Sequence, residues 1–355
     1  MRGSRALRSL SPAGKVGQEC LTESWPIVEI ISFFNHKGGV GKTTLVYNIG
    51  IALAKKGKRV LFLDLDAQAN LTAAALTPEQ VLSSWNENKT IWTCLRPIVD
   101  RSGELREVEL QQIRDRVWIL PGNIRLSEFE EICPQGWTEA LAGNAGGFRV
   151  STTLHRLAVL MGKRVSADYV LADLGPNVGA LNRTALLASD GFVIPLAPDL
   201  FSITALPSVG KSTALWVEEW RAAKGSAQRR GLDFDFELPL GEPSPLGYIS
   251  QQFTTYRQVP AAAYRQWIER IPQEYENGVL APLKETGVTI PPQPPQIGEV
   301  RNLSSLIPMA QRSQSAVFEL SGTEARGSQF TRARDTFSLF ERLAMEIIDR
   351  LPGDE

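Results

Sequence analysis

Residues 27–44 read I-V-E-I-I-S-F-F-N-H-K-G-G-V-G-K-T-T. A β-branched apolar run ends at Phe34, a glycine-rich turn follows, and Lys42-Thr43-Thr44 opens an amphipathic helix. A strand, a glycine loop and a Lys-Thr pair at a helix start, in that order, make a cradle for phosphate. Gly38, Gly39 and Gly41 let the backbone curl until successive N–H groups converge on an anion, with Val40 between them and Thr44 closing the turn. Lys42 brings a mobile positive charge for the β- and γ-phosphates, and the Thr43 hydroxyl is placed to ligate Mg²⁺, so ATP and Mg²⁺ are the expected ligands. A plain glycine turn would explain a lone Gly-Lys-Thr. It does not explain K-G-G-V-G-K-T-T set between a buried strand and a helix.

The standard pattern G-x-x-x-x-G-K-[ST] asks for glycine at position 36. This chain has His36 there and a second lysine, Lys37, directly before the glycines. In that form the stretch resembles the deviant phosphate loop of the ParA/MinD ATPases, and Asn35-His36 is most similar to the partition-type ParA branch. The resemblance implies an α/β fold, a mostly parallel twisted sheet with helices on both faces. It also implies that Lys37 reaches across a homodimer to the nucleotide of the partner.

The next elements fit a parallel sheet. A helix over 42–56 carries Leu45, Ile49 and Leu53 on one face and stops at Gly57. Residues 59–64 then form a near-continuous apolar strand, as in sheets buried on both faces. That strand ends in D-L-D-A-Q-A-N, two carboxylates beside the phosphate loop where α/β sheets bind ligands. A helix cap is the plainer reading of such acids. The segment resembles D-x-D-P-Q-x-N of the partition ATPases, which implies that Asp66 positions the attacking water; Asp64 is its rival, and Ala67 replaces the proline.

Asp168 to Asp173 is an apolar strand ending in an acid, the arrangement in which Asp173 faces the Mg²⁺ shell through water. Residues 174–177 correspond to the family's next switch, where Gly175 brings an N–H to the γ-phosphate. Strands are expected over 117–120, 192–196, 246–249 and 305–308. By resemblance the region around Pro195, Pro198 and Asp199, with the end of the following strand, walls the adenine. Short helices are expected over 90–95 and 126–132, longer ones over 151–163, 202–224, 261–271 and 332–351, and an exposed loop over 143–147. His155 reads as a surface histidine, and Trp216 and Trp220 as packing residues. Residues 291–295 read as a stiff polyproline connector.

The domain reading is one P-loop ATPase domain over 27–351, with inserts near 73–165 and 225–300. Residues 1–26 read as a disordered extension, with an upstream start codon and a DNA-touching arm as alternatives, and 352–355 as a tail. The formal net charge is -1, so no global field draws the chain to nucleic acid and any DNA contact needs a local patch. Lys211, Lys224, Arg229 and Arg230 are the candidates, against the plain reading of a solvated face. The 3 cysteines have no metal spacing, which fits a reducing cytoplasm.

The resemblance implies a slow, partner-stimulated ATPase. It further implies an ATP-bound homodimer that holds DNA non-specifically and is released by a ParB-like adaptor, as in plasmid or chromosome segregation. The alternatives are a MinD-like positioning ATPase, a metabolic enzyme on the same fold, and a relative in a mobile element or defence system. The acidic end of the chain argues against docking on a membrane.

Overall fold

The apolar strands read from the sequence are two-sided. Ile31 and Phe33 point into one core, and Ile30 and Phe34 into the other. Val60 and Phe62 alternate in the same way with Leu61 and Leu63. Only a sheet covered on both faces accommodates that pattern. The computed structural model describes residues 28–252, 261–301, 303 and 305–353. Ile27, the N-terminal extension with Cys20, and residues 354–355 lie outside the described residues.

The first half of the chain runs β1 (Glu29–Phe33), α1 (Lys42–Lys55), β2 (Val60–Leu65), α2 (Asn70–Ala75), α3 (Pro78–Asn86), α4 (Ile91–Val99), β3 (Gln111–Arg114), β4 (Val117–Leu120), α5 (Leu126–Leu141), α6 (Ala145–Ser151), α7 (Thr153–Arg164) and β5 (Tyr169–Leu174). The second half runs α8 (Ala180–Leu187), β6 (Gly191–Leu196), α9 (Leu200–Arg229), β7 (Ser244–Gln252), α10 (Ala261–Tyr275), α11 (Ala281–Thr286), β8 (Gln296–Arg301), α12 (Ile307–Arg312) and α13 (Ser328–Ile348). The eight strands lie in the order β3-β4-β2-β5-β1-β6-β7-β8. Every pair is parallel except β3 with β4. Helices α1 and α13 cover one face, and α5, α7, α8 and α9 the other.

β1 is central, between β5 and β6, so the loop that follows it opens at the middle of the sheet's C-terminal edge. The pairing of β2 with β5 sets Asp64 directly opposite Asp173. Two acids distant in the chain thus become neighbours beside the loop.

Three expectations are corrected. The last strand is not 305–308 but β8, ending at Arg301; Pro308 instead sits in the first turn of α12, where its missing N–H costs nothing. The segment 143–147 is not an exposed loop. Only Gly143 turns, and residues from Ala145 onward form α6. His155 is not a freely exposed surface residue: it is half-buried, its Nδ1 lies 3.3 Å from the Ala188 carbonyl, and burial lowers its pKa. The short helices at 90 and 126 both run on, through Pro97 and Pro134, and the helix expected at 202–224 spans 30 residues. Trp220 is 1% exposed and stacks on Trp137 at 5.8 Å, in keeping with a packing role.

The α6 correction has a steric cause. A Cβ on Gly147 would stand 2.2 Å from the Ala140 backbone nitrogen, so glycine here permits two helices to touch rather than a loop to bend. Backbone cannot step aside as a side-chain tip can. Gly147→Ala should therefore lower unfolding free energy by about 2–3 kcal/mol, read as a shifted denaturant midpoint at constant slope.

Candidate nucleotide site

Backbone geometry builds the loop first. Gly39 and Gly41 hold φ of 73° and 79°, the left-handed region that glycine enters without a Cβ penalty, and Gly41 is the N-cap of α1. Gly38 and Gly39 are exposed, while Val40 is buried as the loop's apolar anchor. Asn35 ties the loop down: its amide donates to the Pro195 carbonyl and its Oδ1 accepts from Lys37 N at 3.0 Å. The turn therefore leads into the N-terminal, positive end of α1, where backbone N–H groups favour an anion.

The two lysines point differently. Lys42 is buried, and its Nζ donates to the carbonyls of Asn35 and Lys37, both at 3.3 Å. Burial lowers its pKa, opposed by the charge of Asp173 and then of Asp66. Lys37 instead sends its ammonium to the Asp199 carboxylate, the N-cap of α9. Pro198 is buried one residue before that cap, so the Lys37–Asp199 contact sets the turn after β6 against the loop.

The acids occupy three distinct settings. Asp173 is buried at 1% exposure; its Oδ2 accepts from Thr43 Oγ1 at 2.6 Å and its Oδ1 has no partner. Burial, then the Asp64 charge, push its carboxyl up to about 8. Asp64 is fully buried, and burial pushes it up to about 6 against the hydrogen bonds of Thr72. Its Oδ2 accepts from both Thr72 N at 2.8 Å and Thr72 Oγ1 at 2.6 Å, and Thr72 Oγ1 accepts from Gly122 N at 2.7 Å. Asp64 thus anchors the start of α2 and the end of β4. Asp66 is half-exposed at the loop's mouth, accepting from Gln68 N, and its carboxylate would lie 3.5 Å from a Cβ on Gly175.

These groups fit Mg²⁺. A threonine hydroxyl and an orphaned carboxylate oxygen stand together beside the loop, and no cluster of three or more ligating side chains exists among the described residues. That is the donor set expected of a cation shared with phosphates and water rather than caged by protein. The second switch is held by Asn182, whose amide donates to the Gly175 and Asn177 carbonyls at 2.8 and 2.7 Å.

Thr72 and Asn182 were not singled out from sequence as site residues. Asp199 was placed only in the adenine-walling region, and its contact with Lys37 was not foreseen. The basic candidates do not converge. Lys211, Arg229 and Arg230 are exposed, with Lys211 and Arg229 about five turns apart on one face of α9, whereas Lys224 donates to the Leu240 carbonyl at 2.7 Å. Cys94 and Cys133 are free and buried, both thiols pushed up to about 12 by burial.

Comparison with known proteins bears on this site. The AAA domain family AAA_31 matches residues 28–220, from β1 into α9. A virulence plasmid ParA family protein of Chlamydia psittaci is 30% identical over 184 residues, 51% of this chain and 62% of its own length. Among the first curated relatives matched, the shared region is 42–62% of their length. A solved Corynebacterium diphtheriae protein aligns with a TM-score of 0.66 at 29% identity, over 81% of this chain and 97% of that one. Cyanothece McdA in complex with ATP aligns at 0.56 and 15% identity, over 93% and 98%, which speaks for the fold alone. No helix among the described residues is long and apolar enough to cross a membrane.

The raised carboxyls give a sign that can be checked. Asp64 and Asp173 both titrate higher folded than the ordinary 3.8, so the native state binds the extra protons. Their favourable contribution is complete below that value and is lost as pH rises through about 6 and about 8. Without nucleotide, Asp173→Asn should melt about 2–5 °C above wild type at pH 8, and the gap should close toward pH 4, followed by calorimetry across that range.

Proposed function

The chain belongs to the AAA domain family AAA_31 and is a ParA/MinD-type P-loop ATPase, and from that premise we propose that it is a dimerising ATP switch of the partition type. One observation carries the reading. The loop holds two lysines with divergent side chains, one curled onto its carbonyls and one turned outward to Asp199. A phosphate loop that served only its own nucleotide would need the first alone. The second reaches toward a face that also exposes Val178, Leu200 and Phe201, at 40%, 46% and 72%. A second copy meeting that face would cover the apolar groups and receive Lys37.

In this reading Lys42 exchanges its two carbonyl partners for the β- and γ-phosphates. Thr43 and Asp173 would hold Mg²⁺, whose charge offsets that of the phosphates when it is bound. Gly38 to Thr44 supply N–H donors, and Gly175 adds one from the opposite side. Asp66 accepts hydrogen bonds from the attacking water and fixes its approach to the γ-phosphate. Asp64 positions the loop that carries Asp66 rather than touching the water.

In this reading the ATP dimer binds DNA without sequence preference, and a ParB-like adaptor stimulates hydrolysis. Lys211, Arg229 and Arg230 remain the candidate phosphate contacts; Lys224, engaged with Leu240, is a poorer one. Co-sedimentation with unrelated duplexes, with ATP and without, tests this arm.

Lys42→Ala should abolish binding of labelled ATP, whereas Lys37→Ala should bind it and stay monomeric in sedimentation with a non-hydrolysable analogue. A normal dimer of Lys37→Ala would refute the two-lysine reading. Asp66→Ala should bind ATP with near-native affinity, dimerise and persist as a dimer, while single-turnover hydrolysis falls by roughly 10²–10³-fold. Hydrolysis at the wild-type rate would remove Asp66 from the mechanism.

A further inference from the structure

Lys37 already has a partner within its own protomer. Its ammonium meets Asp199 Oδ2, and the two side chains are 29% and 15% exposed. Asp199 is itself fixed. As the N-cap of α9 it accepts from Ser202 N through Oδ1 at 2.9 Å, which leaves Oδ2 aimed at the loop. The Phe201 ring also faces the ammonium, its centroid 6.0 Å from Nζ, and is 72% exposed. The Lys37 backbone is equally constrained. Its N–H is bonded to Asn35 and its carbonyl to Lys42 Nζ. Only the side chain is left to move, and moving it means leaving a carboxylate.

We propose that Asp199 is the positioning residue that holds Lys37 in cis, and so sets the nucleotide concentration at which two protomers close. This rests on the reading that closure runs through Lys37. A lysine held by one carboxylate leaves it for a site of greater negative charge, which a triphosphate on a facing protomer supplies and a diphosphate supplies less well. Asp199 therefore makes closure demand the γ-phosphate, and it does so from the first turn of the helix that carries Lys211 and Arg229.

Asp199→Asn separates the two jobs of this residue, because asparagine caps a helix about as well as aspartate but carries no charge. Asp199→Ser does the same with a shorter side chain. Dimerisation would be followed by sedimentation against concentration of a non-hydrolysable ATP analogue with Mg²⁺, and separately against ADP. Both variants should dimerise at about five-fold lower analogue concentration, the scale of one partly exposed ion pair, and should show some dimer with ADP where wild type shows none. Structural damage would raise the threshold, so a lowered one is not produced by misfolding. A wild-type dimer with an unchanged or raised threshold in both variants overturns the latch and leaves the two-lysine reading standing. A dimer in the variants but not in wild type supports the latch. No dimer in any of the three overturns the parent reading together with the latch.

Discussion

The architecture converges on a buried electrostatic conflict. Parallel pairing of β2 with β5 sets Asp64 against Asp173 at the sheet's C-terminal edge, and the loop after β1 places Lys42 among them. Two carboxylates and one ammonium removed from water carry a desolvation penalty that mutual attraction only partly offsets. Both carboxyls are pushed toward the neutral form, and the ammonium is pushed the same way. Such a site is poised rather than relaxed. A cation would offset the carboxylates and a phosphate chain the ammonium, so the charges gathered here favour both ligands together.

Much of this was legible in the chain itself. β1, β2, β5 and β6 are each five or six residues long, largely apolar and almost wholly buried, and end in Phe33, Leu65, Leu174 and Leu196 within a residue or two of the sequence-derived boundaries. A strand buried on both faces has little choice of composition, so it announces itself. The elements that were misread or not read at all have weaker demands. β8 contains Gln296, Glu299 and Arg301 because it lies at the sheet's edge, and α2 and α3 are short helices whose stability comes from packing and from the Thr77–Gln80 capping box rather than from periodicity.

The site divides along a similar line. Residues contributed by the contiguous loop, from Lys37 to Thr44, carry a spacing that only phosphate chemistry explains. Asp173 and Asp66 were reached because each ends a strand beside that loop. Thr72, Asn182 and Asp199 act through partners that are remote in the chain or lie across a turn: Thr72 bridges Asp64 and Gly122, and Asp199 meets Lys37 over 162 positions. Their side chains are ordinary capping and loop residues until folding assigns them a neighbour. The basic residues of α9 failed in the opposite sense, since closeness in sequence overstated closeness in space along a 30-residue helix.

The pairing of β3 with β4 has a consequence for the molecule as a whole. A parallel sheet laid down strand by strand exposes a row of unused N–H and C=O groups at its rim, an invitation to any extended chain. Here the final strand on that side runs backward, is 4 residues long, and breaks register between Gln112 and Arg114. Arg114 then turns its guanidinium to the Gln314 carbonyl and Glu319, binding the rim to the segment that precedes α13. A bulged, short and charged border offers no straight template for another strand.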